Sequence, residues 1–208
     1  MKEEQDYLRD ITEIRSMMER SSKFLSLSGW SGILAGIYAL AGAYIAYSFL
    51  GFNPADLEYR QVPGEILNFD LWKIVVLALI ILILAVGTAI YFSQQKAHKR
   101  GERIWNATTR RLLAHMAVPL IAGGLLILIL ISKGWLGLMA PLTLLFYGLA
   151  LYHISRFTYD ELKTLGLIEM VLGLAGAYFI EYGLLFWALG FGLAHVLYGI
   201  FIHYRYER

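Results

Sequence analysis

Residues 71–92 read LWKIVVLALIILILAVGTAIYF, an apolar run whose only charged side chain is Lys73. An α-helix needs about 20 predominantly apolar residues to cross the roughly 30 Å of bilayer hydrocarbon. This run is too long for a buried strand and too continuously apolar for a surface helix of a soluble domain. It therefore predicts a transmembrane helix.

Five further apolar stretches of similar length complete a set of six predicted transmembrane helices. Tight turns separate some of them, for example at Lys133-Gly134 and around Gly183, and short connections favour antiparallel neighbours. The predicted fold is therefore all-α, a polytopic membrane protein whose six transmembrane helices form three helical hairpins over residues 27–208. The predicted spans are residues 28–50, 71–92, 112–132, 135–155, 165–182 and 184–203.

The composition agrees with a membrane protein. Hydrophobic residues make up 58% of the chain and charged residues only 16%, against about 25% charged residues in soluble domains. The formal net charge is +2, so no bulk attraction to nucleic acid is expected, and the principal partner is the lipid bilayer. The chain has no cysteine, which excludes disulfides, thiolate metal sites and cysteine nucleophiles.

The basic residues predict an orientation. Of the 18 Lys and Arg residues, all but Arg60, Lys73 and Lys133 lie before the first predicted span or after the second, fourth and sixth. Short loops on the cytoplasmic side of a membrane carry such an excess of basic residues. We therefore expect a multi-pass protein of the cytoplasmic (inner) membrane with both its N-terminus and its C-terminus in the cytoplasm.

Three segments lie outside the predicted spans. Residues 51–70 form the predicted external loop, which is acidic. Residues 94–111, QQKAHKRGERIWNATTRR, form a basic cytoplasmic loop suited to anionic lipid headgroups. Residues 1–26 carry an apolar stripe among charges that nearly cancel, which predicts a cytoplasmic amphipathic helix that packs on protein rather than on lipid. Its partner would be the bundle, a second copy or a cytoplasmic protein.

Small residues in the first span predict a close helix contact. Gly32 and Gly36 are four residues apart, and this spacing lets two helix backbones approach in a membrane. The contact is either a homo-oligomer seam or packing within the same bundle.

Two ionisable residues lie well inside predicted spans. Glu169 is in the fifth span and His195 is in the sixth, at depths that differ by about one helical turn. Because ionisable groups are costly inside a bilayer, they indicate function by default. With Tyr198 nearby, they predict a ligand or proton site in the cytoplasmic half of the bundle. The alternative is a polar pair that only sets the register of two helices.

Three further histidines lie near the cytoplasmic ends of spans: His115, His153 and His203. If they converge, imidazole nitrogens could bind a divalent metal or haem. No metal-binding spacing supports this, and the sequence requires no cofactor.

The leading hypothesis from sequence is a non-enzymatic membrane protein: a small transporter, a sensor or a membrane subunit of a larger assembly. The alternative is a metal- or haem-binding membrane enzyme or redox protein that uses His115, His153 and His203. No catalytic motif in the sequence supports an enzyme.

Overall fold

The computed structural model describes residues 23–53, 69–99, 101 and 104–207, and within them the secondary structure is helical, with no strand. Helix α1 is Gly29–Ser48, α2 is Phe69–Lys99, α3 is Ala107–Ser132, α4 is Met139–Ile154 and α5 is Glu161–Tyr178. The last predicted span comprises α6 (Gly183–Trp187), a π-helical segment (Ala188–Ala194) and α7 (His195–Tyr206).

Five of these segments are long and apolar enough to cross a membrane. Helix α5, which begins four residues before the fifth predicted span, is less apolar because it carries Glu161, Lys163 and Glu169. The prediction of an all-α protein with helices that could span a membrane is therefore confirmed for the described residues. The five segments are Gly29–Ser48, Trp72–Lys99, Ala107–Ser132, Leu136–Phe157 and Ile180–Tyr206.

The closest packing is between α4 and α5. A Cβ atom added to Gly148 would lie 2.6 Å from the carbonyl oxygen of Gly166, and one added to Gly173 would lie 2.7 Å from the backbone nitrogen of Leu145. The two helices therefore touch backbone to backbone, as small residues permit in membranes. This contact joins two predicted hairpins rather than the two arms of one, and the three-hairpin arrangement is not confirmed.

The second close contact joins α1 to the last span. A Cβ atom on Gly32 would lie 3.1 Å from the Cα atom of Gly199, and one on Gly36 would lie 2.6 Å from the carbonyl oxygen of Gly192. The predicted small-residue seam is therefore occupied by a helix of the same chain. A homo-oligomer stays a prediction, and its interface would have to lie on a face of the protein other than this seam.

Helices α2 and α3 lie at the periphery, where α2 packs chiefly on α1 and α3 on α4. The most apolar stretch of α2 has no buried residue, and leucine and isoleucine side chains such as Ile83 and Leu128 point outward. Such a surface is suited to lipid.

Several predicted boundaries differ from the structure. Helix α2 starts at Phe69 and continues to Lys99, and α3 starts at Ala107. The predicted loops 51–70 and 94–111 were therefore too long, because polar residues such as Lys96 extend α2 beyond its apolar stretch. Residues 54–68 of the external loop lie outside the described residues.

The predicted N-terminal helix falls mostly outside the described residues, which begin at Lys23. Residues 24–28 are not helical, and the predicted 1–26 helix is not confirmed. Phe24 N–H donates to the carbonyl of Phe157 at 2.6 Å, and the hydroxyl of Thr158 donates to the carbonyl of Phe24 at 2.6 Å. These bonds satisfy the backbone in place of helical ones.

Candidate functional site

Glu169 and His195 meet inside the bundle. The Glu169 side chain is completely buried, and 6% of His195 is exposed. The Nδ1 atom of His195 lies 3.2 Å from Oε1 of Glu169. With Tyr147 they form what we call the mid-span site, which lies where α4, α5 and the last span pack together.

His195 has hydrogen-bond partners on both ring nitrogens. Its Nδ1 lies 3.1 Å from the carbonyl oxygen of Gly190, and its Nε2 lies 3.1 Å from the hydroxyl of Tyr147. Because a carbonyl only accepts, Nδ1–H is the donor, and Nε2 of the neutral ring then accepts from the Tyr147 hydroxyl. These two bonds hold the ring in one orientation, and in this arrangement they favour the tautomer with its proton on Nδ1.

The Glu169 carboxyl group is less well satisfied. Both of its oxygens are buried, and neither accepts a hydrogen bond from any described residue. The Nδ1–H of His195 is close but is directed at Gly190. A buried carboxylate without donors costs roughly several kcal/mol relative to water. The charged form of this carboxyl group is therefore not stabilised by donors from the described residues.

The π-helical segment makes room for this carboxyl group. A Cβ atom on Gly190 would lie 2.5 Å from Oε2 of Glu169 and 2.5 Å from Cδ2 of Leu144. A larger residue here would require the Glu169 or Leu144 side chain to shift. The wider winding of residues Ala188–Ala194 also places the Gly190 carbonyl within hydrogen-bond distance of Nδ1 of His195, which follows Gly190 by five residues. Such π-helical turns within helices are frequent at functional sites.

Aromatic rings surround the histidine. Phe191 stacks on His195 with ring centroids 5.8 Å apart, and Tyr147 lies 5.5 Å from His195 and 5.0 Å from Phe191. These rings exclude water from one side of the imidazole and leave Tyr147 as its hydroxyl partner. Tyr147 was not among the predicted site residues, because its bond to His195 depends on how α4 packs.

Tyr198, the third predicted site residue, lies one turn beyond His195 on α7. It packs against the same apolar cluster as Tyr147. Its hydroxyl is buried and has no hydrogen-bond partner among the described residues. The structure therefore brings Tyr198 near the mid-span site without a direct bond to Glu169 or His195.

The structure does not bring the other three histidines together. His115 stacks on Phe157 with centroids 4.9 Å apart. His153 bonds to the Leu149 carbonyl at 2.9 Å. His203 bonds to Glu207. Within the described part of the chain, no group of three His, Asp or Glu side chains could hold a metal ion.

A second polar cluster was not predicted. Nζ of Lys96 donates to Oε1 of Glu207 at 2.8 Å, to the hydroxyl of Tyr159 at 3.1 Å and to the carbonyl of Leu27 at 2.7 Å. Only 13% of the Lys96 side chain and 12% of the Glu207 side chain are exposed. We call Lys96, Tyr159, His203 and Glu207 the terminal-end cluster, because the chain enters the bundle and leaves it here.

Glu207 has three donors in this cluster. Besides Lys96, the backbone N–H of Gly29 donates to Oε1 at 3.0 Å, and Nδ1–H of His203 donates to Oε2 at 2.8 Å. Burial alone would raise the pKa of Glu207, but the bonds from Lys96, His203 and Gly29 outweigh burial and lower the pKa to about 2. The ion pair therefore ties the start of α1 and the end of α2 to the end of α7.

Comparisons with known proteins add no functional information. No protein-family model matches the chain, and neither a curated protein nor a solved structure shows significant similarity to it. What can be inferred about function therefore rests on the site itself.

Proposed function

We propose that this chain is a non-enzymatic, multi-pass protein of the cytoplasmic membrane. In this proposal, Glu169 binds a proton in response to conditions on one side of the membrane. A proton-coupled small transporter, a sensor and a membrane subunit all use such a site. The observation that carries the proposal is the completely buried Glu169 carboxyl group, which lies 3.2 Å from His195 and has no hydrogen-bond donor among the described residues.

Three features favour a proton over a permanent structural charge pair. The carboxyl group is not held by donors, so no bond is broken when it becomes neutral. His195 already carries a proton on Nδ1, next to Glu169. The Gly190 position leaves space for the carboxyl oxygens and little else.

We infer the orientation from charge and chain geometry. The Gly29 N–H bonds to Glu207 at 3.0 Å, so the start of the first helix and the end of the last helix lie at the same end of the bundle. The excess of Lys and Arg outside the spans favours placing that end in the cytoplasm. Glu169 is eight residues into α5, about 12 Å from the helix start, and we propose that this places it in the cytoplasmic half.

Infrared spectroscopy of the purified protein in lipid nanodiscs tests the proposal. The spectrum of the wild type, recorded across a pH series, should contain a protonated-carboxyl band that titrates. Glu169→Gln should remove this band. Glu181→Gln is the matched control, because Glu181 is exposed at the opposite end, and it should leave the band in place. A titrating band that survives Glu169→Gln would overturn the proposal.

A further inference from the structure

We propose that Glu161 and Tyr198 form the path by which protons travel between the terminal end of the bundle and Glu169. The inference rests on the proposed function, since it specifies how the same site is loaded.

Two contacts hold α5 and α7 in register at both ends of this path. At the mid-span end, His195 lies 3.2 Å from Glu169. At the terminal end, the hydroxyl of Tyr206 donates to Oε1 of Glu161 at 2.8 Å. Eight residues separate the two glutamates and eleven separate the two partners on α7. The helices are therefore antiparallel, and the ends of the path are about 12–16 Å apart.

Tyr198 lies between these contacts. It follows His195 by three residues and precedes Tyr206 by eight, so it lies about 60° around α7 from His195 and about 80° from Tyr206. Long side chains lean toward the N-terminus of their helix, which for α7 is the direction of His195. The ionisable groups near Tyr198 are Glu161, Tyr147, Tyr159 and Tyr206. Along the bundle, Tyr198 therefore lies between the level of the His195–Glu169 contact and the level of the Tyr206–Glu161 contact.

Two buried polar atoms lack partners along this path. Among the described residues outside the Glu169 carboxyl group, these are the hydroxyl oxygen of Tyr198 and Oε2 of Glu161. An unsatisfied buried polar group costs about 1–3 kcal/mol. A tyrosine with a purely structural role gains nothing from such a hydroxyl, since phenylalanine fills nearly the same space. A hydroxyl that passes protons must be free to turn between two neighbours.

Glu161 connects the path to water. Its side chain is 20% exposed, and Oε1 lies 3.3 Å from a guanidinium nitrogen of Arg205, which is 58% exposed. Oε2 is buried. One oxygen of this carboxyl group therefore lies with surface groups, and the other faces the interior.

The net result of the transfer is that one proton moves from the Glu161 end of the path to Glu169. Each hydroxyl gives its own proton to the next group and receives one from the group behind it, directly or through one water. Tyr147 gives its proton to Nε2 of His195, and the imidazolium then gives its Nδ1 proton to Glu169. The result is a neutral Glu169 carboxyl group and a neutral histidine that carries its proton on Nε2.

The rate of hydrogen–deuterium exchange of the Glu169 carboxyl band tests the path. The wild type and variants are compared in lipid nanodiscs after a rapid change to deuterated buffer. Tyr198→Phe removes only the hydroxyl, and it should slow exchange about tenfold or more without moving the midpoint of the pH titration. Glu161→Gln should also slow exchange. Tyr178→Phe is the matched control, because Tyr178 is 82% exposed, and it should exchange as the wild type does.

The outcomes separate the two proposals. Wild-type exchange in both Tyr198→Phe and Glu161→Gln, with the Glu169 band present, would overturn the path but leave the proton site intact. A band that Glu169→Gln does not remove would overturn both. Slow exchange in one variant together with a shifted midpoint would also contradict the path, because a change in midpoint means a changed site rather than a blocked route.

Discussion

Glu169 is a fully buried carboxyl group and Glu207 is a partly buried one, and their hydrogen-bond partners differ. Glu207 accepts hydrogen bonds from Lys96, His203 and the backbone of Gly29. Glu169 accepts none from the described residues, although His195 lies 3.2 Å away. The first belongs to the terminal-end cluster and the second to the mid-span site.

The two carboxyl groups therefore differ mainly in the number of hydrogen-bond donors around them. Donors hold Glu207 ionised, as its lowered pKa of about 2 indicates, and its pairing joins three helices. Glu169 has no such donors among the described residues. Burial alone therefore does not identify a functional carboxyl group, and the number of donors around it is the more informative quantity.

The largest expected effect is at the terminal-end cluster. Lys96→Met removes the cation from a mostly buried pair and leaves Glu207 without it. Breaking such a pair costs about 3–5 kcal/mol. We expect a loss of that size in the free energy of unfolding, measured by denaturant titration in detergent micelles. Lys99→Met is the matched control on the same helix, because Lys99 is exposed, and it should change stability by about 0.5 kcal/mol or less. Equal losses in both variants would contradict a structural role for the Lys96–Glu207 pair.

The sequence predicted part of the mid-span site for a physical reason. Counting residues along two helices joined by a tight turn places Glu169 and His195 at similar depth, and the structure has them 3.2 Å apart. The π-helical segment could not be predicted, because Gly190 and Gly192 in ALGFGLA are also compatible with close packing of an ordinary helix.

The terminal-end cluster was missed for a different reason. Lys96 lies among several basic residues that the positive-inside pattern already explains, so it was assigned to a loop. Its burial depends on the chain entering the bundle at residues 24–28 and on Glu207 following α7. The hydropathy pattern along the chain does not indicate which residues far apart in the sequence are in contact.

The next largest effect on stability is expected from a substitution at Gly190. In Gly190→Ala the added methyl would lie 2.5 Å from Oε2 of Glu169 and from Cδ2 of Leu144. Overpacking of this kind costs about 1–3 kcal/mol, and we expect about 2 kcal/mol together with a shifted titration of the Glu169 infrared band. Gly87→Ala is the matched control, since a Cβ atom there meets nothing within 4 Å. A Gly190→Ala variant with unchanged stability and titration would show that Glu169 is loosely packed.

The terminal-end cluster should also weaken in acid. The pKa of Glu207 is lowered from 4.5 to about 2, so its stabilisation is complete above about pH 4.5 and is lost as pH falls toward about 2. At about 1.4 kcal/mol per pKa unit, reduced for solvent screening, the loss is about 2 kcal/mol. The measurement is the difference in unfolding free energy between wild type and Glu207→Gln across this window. It should shrink as pH falls, whereas a constant difference would mean that the charge of Glu207 contributes nothing.

The smallest effect is expected from Glu169→Gln, and it is compared with Glu207→Gln at neutral pH. The amide in place of Glu169 breaks no hydrogen bond, because neither carboxyl oxygen accepts one from a described residue. We expect stability within about 1 kcal/mol of the wild type, or slightly higher. Glu207→Gln leaves Lys96 without its anionic partner and should lose clearly more. If Glu169→Gln were the more damaging change, Glu169 would be an ionised partner of a protonated His195. The two carboxyl groups would then have the same structural role.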